Sequence, residues 1–76
     1  MQEPVILKWD RVIHKGARTE DGEPVGYIVS EGGDSFMVLA SHFREYQIPK
    51  SHVTAFDGSN VYLDFPFKDL GQYRVQ

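Results

Sequence analysis

The sequence predicts a mainly β domain in which short strands, joined by tight turns, close into a small barrel. Three observations predict it. From Val25 onward the apolar residues recur with period two rather than 3.6. Glycines stand between these runs, at Asp21-Gly22, Gly32-Gly33 and Asp57-Gly58. Seventy-six residues with ten aromatics can bury only one core, because a chain this short cannot divide its apolar side chains between two.

In chain order, Trp9, Val12 and Ile13 have i, i+3, i+4 spacing, which predicts one or two helical turns before the sheet. The stretch TEDGEPVGYIVSEGGDSFMVLA, residues 19–40, then carries four of the seven glycines and five of the eleven acids. Asp21-Gly22 is the two-residue signature of a type I′ hairpin turn, which needs positive φ at both central residues. VGYIV, rich in β-branched and aromatic residues, reads as the strand that follows. Gly32-Gly33-Asp34 punctuates the next connection.

In SFMVLA, Phe36, Val38 and Ala40 point one way and Met37 and Leu39 the other, so this strand is expected to be covered on both sides. EYQIP sets Tyr46 and Ile48 on one face, and Pro49 ends it because proline cannot donate to a ladder. Ser51 is placed to cap a short turn before Val53. VTAF and VYLDF make two further strands, joined across Asp57-Gly58-Ser59-Asn60. DGEPVGY and DGSNVYL look alike through shared turn chemistry rather than as a repeat. These glycines open into strands, whereas a phosphate loop opens into a helix whose N-terminus meets the anion.

The expectation is one domain over residues 1–76, with the barrel over about 9–63 and an aromatic C-terminal segment over 64–76. Without cysteine, neither a disulfide nor a thiolate zinc site can reinforce it, which leaves packing and self-association. MQEPVILKWD lacks the basic flank and small-residue cleavage site of a signal peptide. No apolar run approaches the ~20 residues that cross a bilayer. A soluble, cytoplasmic protein with no membrane insertion is therefore expected. The net charge of −3 is uneven: residues 1–18 hold four bases against two acids, and the rest four bases against nine acids. Lys8, Arg11, Lys15 and Arg18 form a candidate patch for an anionic partner, although four charges fall short of a nucleic-acid footprint.

The series GARTEDGEPVGYIV, a strand, and then YQIPKSHVTAFDGSNVYL resembles the PRC-barrel superfamily, and in particular small prokaryotic PRC-barrel-like proteins. The likeness spans roughly residues 9–63, strongest in DGEPVG and the later IPKSHV. It implies a small, highly curved β-barrel of about six antiparallel strands. It also implies a binding or assembly module, since the superfamily includes a domain of a photosynthetic reaction-centre subunit, a domain of a ribosome maturation factor and cell-division proteins. The residues after Leu63 depart from the family pattern.

The remaining chemistry is sparse. His14, His42 and His52 lack the spacing that brings metal ligands together locally. Glu20, Asp21, Glu23, Glu31 and Asp34 lack the alternation of a calcium loop. There is no G-x-S-x-G elbow, and a barrel filled by its own side chains leaves little room for a cleft. No catalytic residue, cofactor, metal or small-molecule substrate is expected. The aromatic excess in YLDFPF, followed by Tyr73, is more informative: some of Tyr62, Phe65 and Phe67 are expected not to fit inside a barrel already holding Tyr27, Phe36, Tyr46 and Phe56. They are either a protein interface, including one with a second copy of the chain, or a cap folded over the barrel. The expected function is a non-enzymatic protein-binding or assembly module. The alternative is an RNA- or ribosome-associated factor using the basic segment.

Overall fold

The structure is a computed structural model that describes residues 8–75; the N-terminal run of residues 1–7 and Gln76 lie outside the described residues. A 3₁₀ turn, η1 (Trp9–Val12), precedes β1 (Gly16–Arg18), β2 (Pro24–Gly32) and β3 (Ser35–Leu39). A second 3₁₀ turn, η2 (Ser41–Phe43), leads to β4 (Glu45–Pro49), and a third, η3 (Lys50–His52), to β5 (Val53–Phe56) and β6 (Asn60–Leu63). The chain ends in η4 (Phe67–Tyr73), a longer run of 3₁₀ turns.

The six strands form one sheet in the order β4-β3-β2-β1-β6-β5. Two expectations are corrected. The sheet is mixed, because β1 runs parallel to β6, with Gly16 opposite Asn60 and Arg18 opposite Tyr62. It is also not closed into a barrel: β4 and β5 are its edges. Those edge strands are nevertheless separated in sequence by only the three residues of η3, so the sheet must bend until its edges approach each other at that corner. The bend has a local cause. β2 carries one extra residue opposite Ala17 and Arg18 and another between Ile28 and Ser30, and β5 carries one between Val53 and Ala55. Each such bulge kinks its strand and increases twist.

The concave face of the curled sheet holds the core. Ala17, Val25, Ile28, Phe36, Val38, Tyr46, Ile48, Val53, Ala55, Val61 and Leu63 all point into it, joined by Val12, Phe65 and Leu70 from outside the strands. Trp9 closes one side: its ring lies 5.1 Å from Phe36, and Lys50 Nζ sits 4.9 Å from its centroid while pairing with Glu31 at 2.7 Å. The helical turn expected at Trp9, Val12 and Ile13 is present as the single 3₁₀ turn η1, which ends at Val12; Ile13 is already extended.

Several details differ from the sequence reading. Tyr27 is 66% exposed rather than internal, because the irregular stretch around Gly26 turns Val25 and Ile28 inward and Tyr27 out. Phe65 takes an inward place, while Phe56 is only half-buried. Met37 and Leu39 are half-buried, so β3 is covered fully on one face only. The β1–β2 connection is not a two-residue type I′ turn. Positive φ occurs at Gly22 (+82°) but not at Asp21, the Gly22 N–H donates to the Thr19 carbonyl at 2.9 Å, and the Thr19 N–H donates to Glu23 O at 3.0 Å. A buried Thr19 hydroxyl, bonded to the Asp21 carboxylate, fixes this wider loop. Ser51 lies in the expected turn but makes no side-chain cap.

Candidate functional site

The β3–β4 connection is where the fold departs most from low-energy backbone. Five residues, Ala40 to Arg44, link the two strands without a glycine. The loop closes through the Ala40 N–H donating to Arg44 O at 2.8 Å, and the Arg44 backbone N–H and Nε both donating to Ser41 O, at 3.3 and 3.4 Å. That tight closure forces two consecutive residues into the left-handed region, His42 at φ 60° and Phe43 at φ 61°. Such a conformation costs about 1–3 kcal/mol for a non-glycine residue and is an outlier for a bulky one. The strain delivers a ring into solvent: Phe43 is 84% exposed and, among the described residues, has no aromatic partner.

The start of this loop borders a groove of about 390 Å³ lined by Pro24, Val25, Gly26, Tyr27, Leu39, Ala40 and Ser41. Tyr27 and Leu39 are cross-strand partners and share the convex face, so Tyr27 forms one wall of the groove and Leu39 part of its floor. Val29, 42% exposed, follows Tyr27 along β2. Three of the five exposed large hydrophobic side chains, Tyr27, Val29 and Phe43, thus come from the two segments that border this groove. The sequence reading did not single out Phe43. The available signal was a large aromatic in a loop that lacks glycine.

The aromatic residues expected to be an interface are distributed differently. Phe65 is buried, and its ring stacks on Tyr73 at 4.9 Å. His52 packs edge-on against both rings at 5.5 Å. The His52 Nδ1 lies 2.8 Å from an Asp64 carboxylate oxygen, and its Nε2 lies 3.1 Å from the Tyr73 hydroxyl. A carboxylate only accepts, so Nδ1 carries the hydrogen; in the neutral ring Nε2 then accepts from Tyr73. This chain ties the C-terminal segment to η3. Beyond it, the Val75 N–H donates to Glu45 O at 2.9 Å, and Arg74 bridges Tyr46 across the outer edge of β4. The tail folds back over the open side of the sheet. Of the four rings, Phe67 alone is substantially exposed, at 45%, and its N–H donates to the Asp21 carboxylate.

Tyr62, the fourth, is half-buried and donates to Asp57 at 2.6 Å. With the N–H groups of Ser59 and Asn60 also donating to that carboxylate, Asp57 is lowered to about 2, chiefly by the Tyr62 hydroxyl, and Tyr62 is raised because ionising it removes that donor. A depressed folded-state value means the stabilisation is present above the ordinary aspartate range near ~3.9 and is lost as pH falls toward about 2. Tyr62→Phe is expected to move the Asp57 titration upward, read by carboxyl-carbon NMR; an unmoved titration would show that the backbone donors alone set it.

Lys8 and Arg11 are exposed on or beside η1, Lys15 and Arg18 are half-buried, and Arg18 is engaged internally, donating to Gly22 O at 2.7 Å. Among the described residues, no three His, Asp or Glu side chains converge in a metal-binding group, and no helix is long and apolar enough to cross a membrane. Comparison with known proteins finds no family model, no curated protein and no solved structure that matches this chain.

Proposed function

We propose that this chain is a non-enzymatic protein-binding or assembly module, PRC-barrel-like in kind, and that the face formed by Tyr27, Val29 and Phe43 is its docking surface. One observation carries the reading: the fold holds Phe43 on strained backbone and leaves 84% of it in water. Strain at a site the surrounding structure does not exploit is a mark of function. Aromatic side chains near an apolar groove are the anchors of protein interfaces. The ordinary fate of an aromatic ring, burial against the core, is what Phe65 and Tyr73 already show elsewhere in the molecule.

A photo-reactive phenylalanine analogue at position 43, incorporated in the native host and irradiated, tests the reading. A discrete covalent adduct with a protein is expected, and its loss when Tyr27→Ser is added. An irradiated chain that yields no protein adduct refutes the docking surface.

The alternative is an RNA- or ribosome-associated factor using Lys8, Arg11, Lys15 and Arg18, of which Lys8 and Arg11 are exposed and Lys15 and Arg18 half-buried. Titration against a single-stranded RNA is expected to show no binding at 150 mM salt. A complex that weakens steeply with salt and is lost in Arg11→Glu/Lys15→Glu would reverse that preference, because phosphate neutralisation releases counterions.

A further inference from the structure

We infer that the occupant of the Phe43 groove is a second copy of the same chain, the two Phe43 rings exchanged across a two-fold axis; this rests on the docking surface proposed above and names its partner. The loop that projects the Phe43 ring also lines an apolar groove, through Ala40 and Ser41 beside Pro24, Tyr27 and Leu39. A two-fold axis presents the same face from both partners, so that residue i meets j and j meets i. One chain therefore supplies both halves of the contact.

The area available agrees with what a pair requires. A stable interface takes about 800 Å² from each partner, of which about 65% is apolar in homodimers, or roughly 500 Å². An aromatic residue buries about 150–250 Å². At 66% and 84% exposure, Tyr27 and Phe43 offer about 300 Å² between them, and Val29 and the groove floor supply much of the rest. No other part of the described surface approaches this, since Phe67 and Val75 are 45% and 50% exposed and stand apart from the groove. The charges beside the ring suit self-pairing too. Arg44 and Glu45 follow Phe43 directly, so a two-fold contact brings both signs from each side, whereas a uniformly charged partner would meet one of them as a like charge.

The discriminating variant is Phe43→Gly, because the monomer and the dimer respond to it in opposite directions. Glycine relieves the left-handed strain, so the thermal midpoint at low micromolar concentration should stay the same or rise. Association should weaken about a thousandfold, because the symmetry removes an anchor ring from both sides at once. Sedimentation equilibrium of the wild type is expected to show twice the 8.7 kDa chain mass at tens of micromolar, and Phe43→Gly a monomer. The photo-adduct formed by the purified protein should map to Tyr27 or Leu39 of a second copy, identified by mixing isotope-labelled and unlabelled chains.

A wild type that stays monomeric at 500 μM overturns self-pairing. If the adduct formed in the native host then contains a different protein, the docking surface stands with another occupant; if no adduct forms, both readings fall. A dimer that survives Phe43→Gly overturns the exchange and moves the contact to another surface. An adduct confined to the same chain shows the ring lying in its own groove and likewise overturns it.

Discussion

Gly26→Ala is expected to destabilise the domain by about 3 kcal/mol or more, lowering the thermal midpoint by roughly 12–24 °C. The backbone at Gly26 has φ +156°, and a Cβ there would press into the carbonyl of Leu39, 2.8 Å from its carbon and 3.0 Å from Ala40 Cα. These are main-chain atoms at the end of β3, so relief requires moving a strand and not rotating a side chain. Gly22 is the control. It also has positive φ, +82°, but a Cβ there meets nothing within 4 Å. Gly22→Ala carries backbone strain alone, about 1 kcal/mol. Urea unfolding of both variants checks the order. A Gly26→Ala midpoint within 1 kcal/mol of wild type would mean that β2 and β3 separate at this point more readily than their pairing suggests.

Phe65→Ala is expected to cost about 3–5 kcal/mol, the range for removing a buried aromatic. A domain of this length has a total stability of roughly 4–11 kcal/mol, so the variant should be substantially unfolded at 37 °C. Phe65 is 7% exposed and stands where β6 hands the chain to the tail; its ring receives Tyr73 on one face and the edge of His52. Losing it removes the platform on which the tail returns. Tyr73→Phe keeps the stack and deletes only the hydroxyl that reaches His52, so about 0.5–1.5 kcal/mol is expected. Equal costs for the two changes would show that the hydroxyl–imidazole contact, rather than the ring stack, holds the tail.

Much of the fold was legible because it depends on local chemistry. The alternation in EYQIP and VTAF places Tyr46, Ile48, Val53 and Ala55 inward, and Asp57-Gly58 turns β5 into β6. What was not legible depends on distant partners. β1 is Gly-Ala-Arg, with no β-branched or aromatic residue to announce a strand, and it is extended because β2 and β6 pair with it from both sides. The parallel direction of β6 follows from that placement and from nothing in VYLDF. Tyr27 was misplaced because strict alternation assumes an unbroken ladder, and the extra residues in β2 reset which face each side chain meets. Phe43 escaped attention since its significance lies in backbone strain and exposure, which a spacing pattern does not encode.

The insertion of β1 between β2 and β6 also sets the order in which the chain can fold as it is made. Gly16 finds its parallel partner at Asn60, 44 residues later. At about 5–20 residues per second of synthesis, the 11 residues from Pro49 to Asn60 leave the β2–β3–β4 meander complete and one side of β1 without its neighbour for roughly 0.5–2 seconds. During that interval Ala17, Ile28 and Phe36 have only half of their eventual cover. Pairings this distant in sequence also place folding toward the slow, millisecond-to-second end for small domains. The nascent chain is thus most exposed to misassociation just before β6 appears, and a chaperone that shields its β-meander would act in that window and have nothing to hold once Val61 and Leu63 have slid in beside β1.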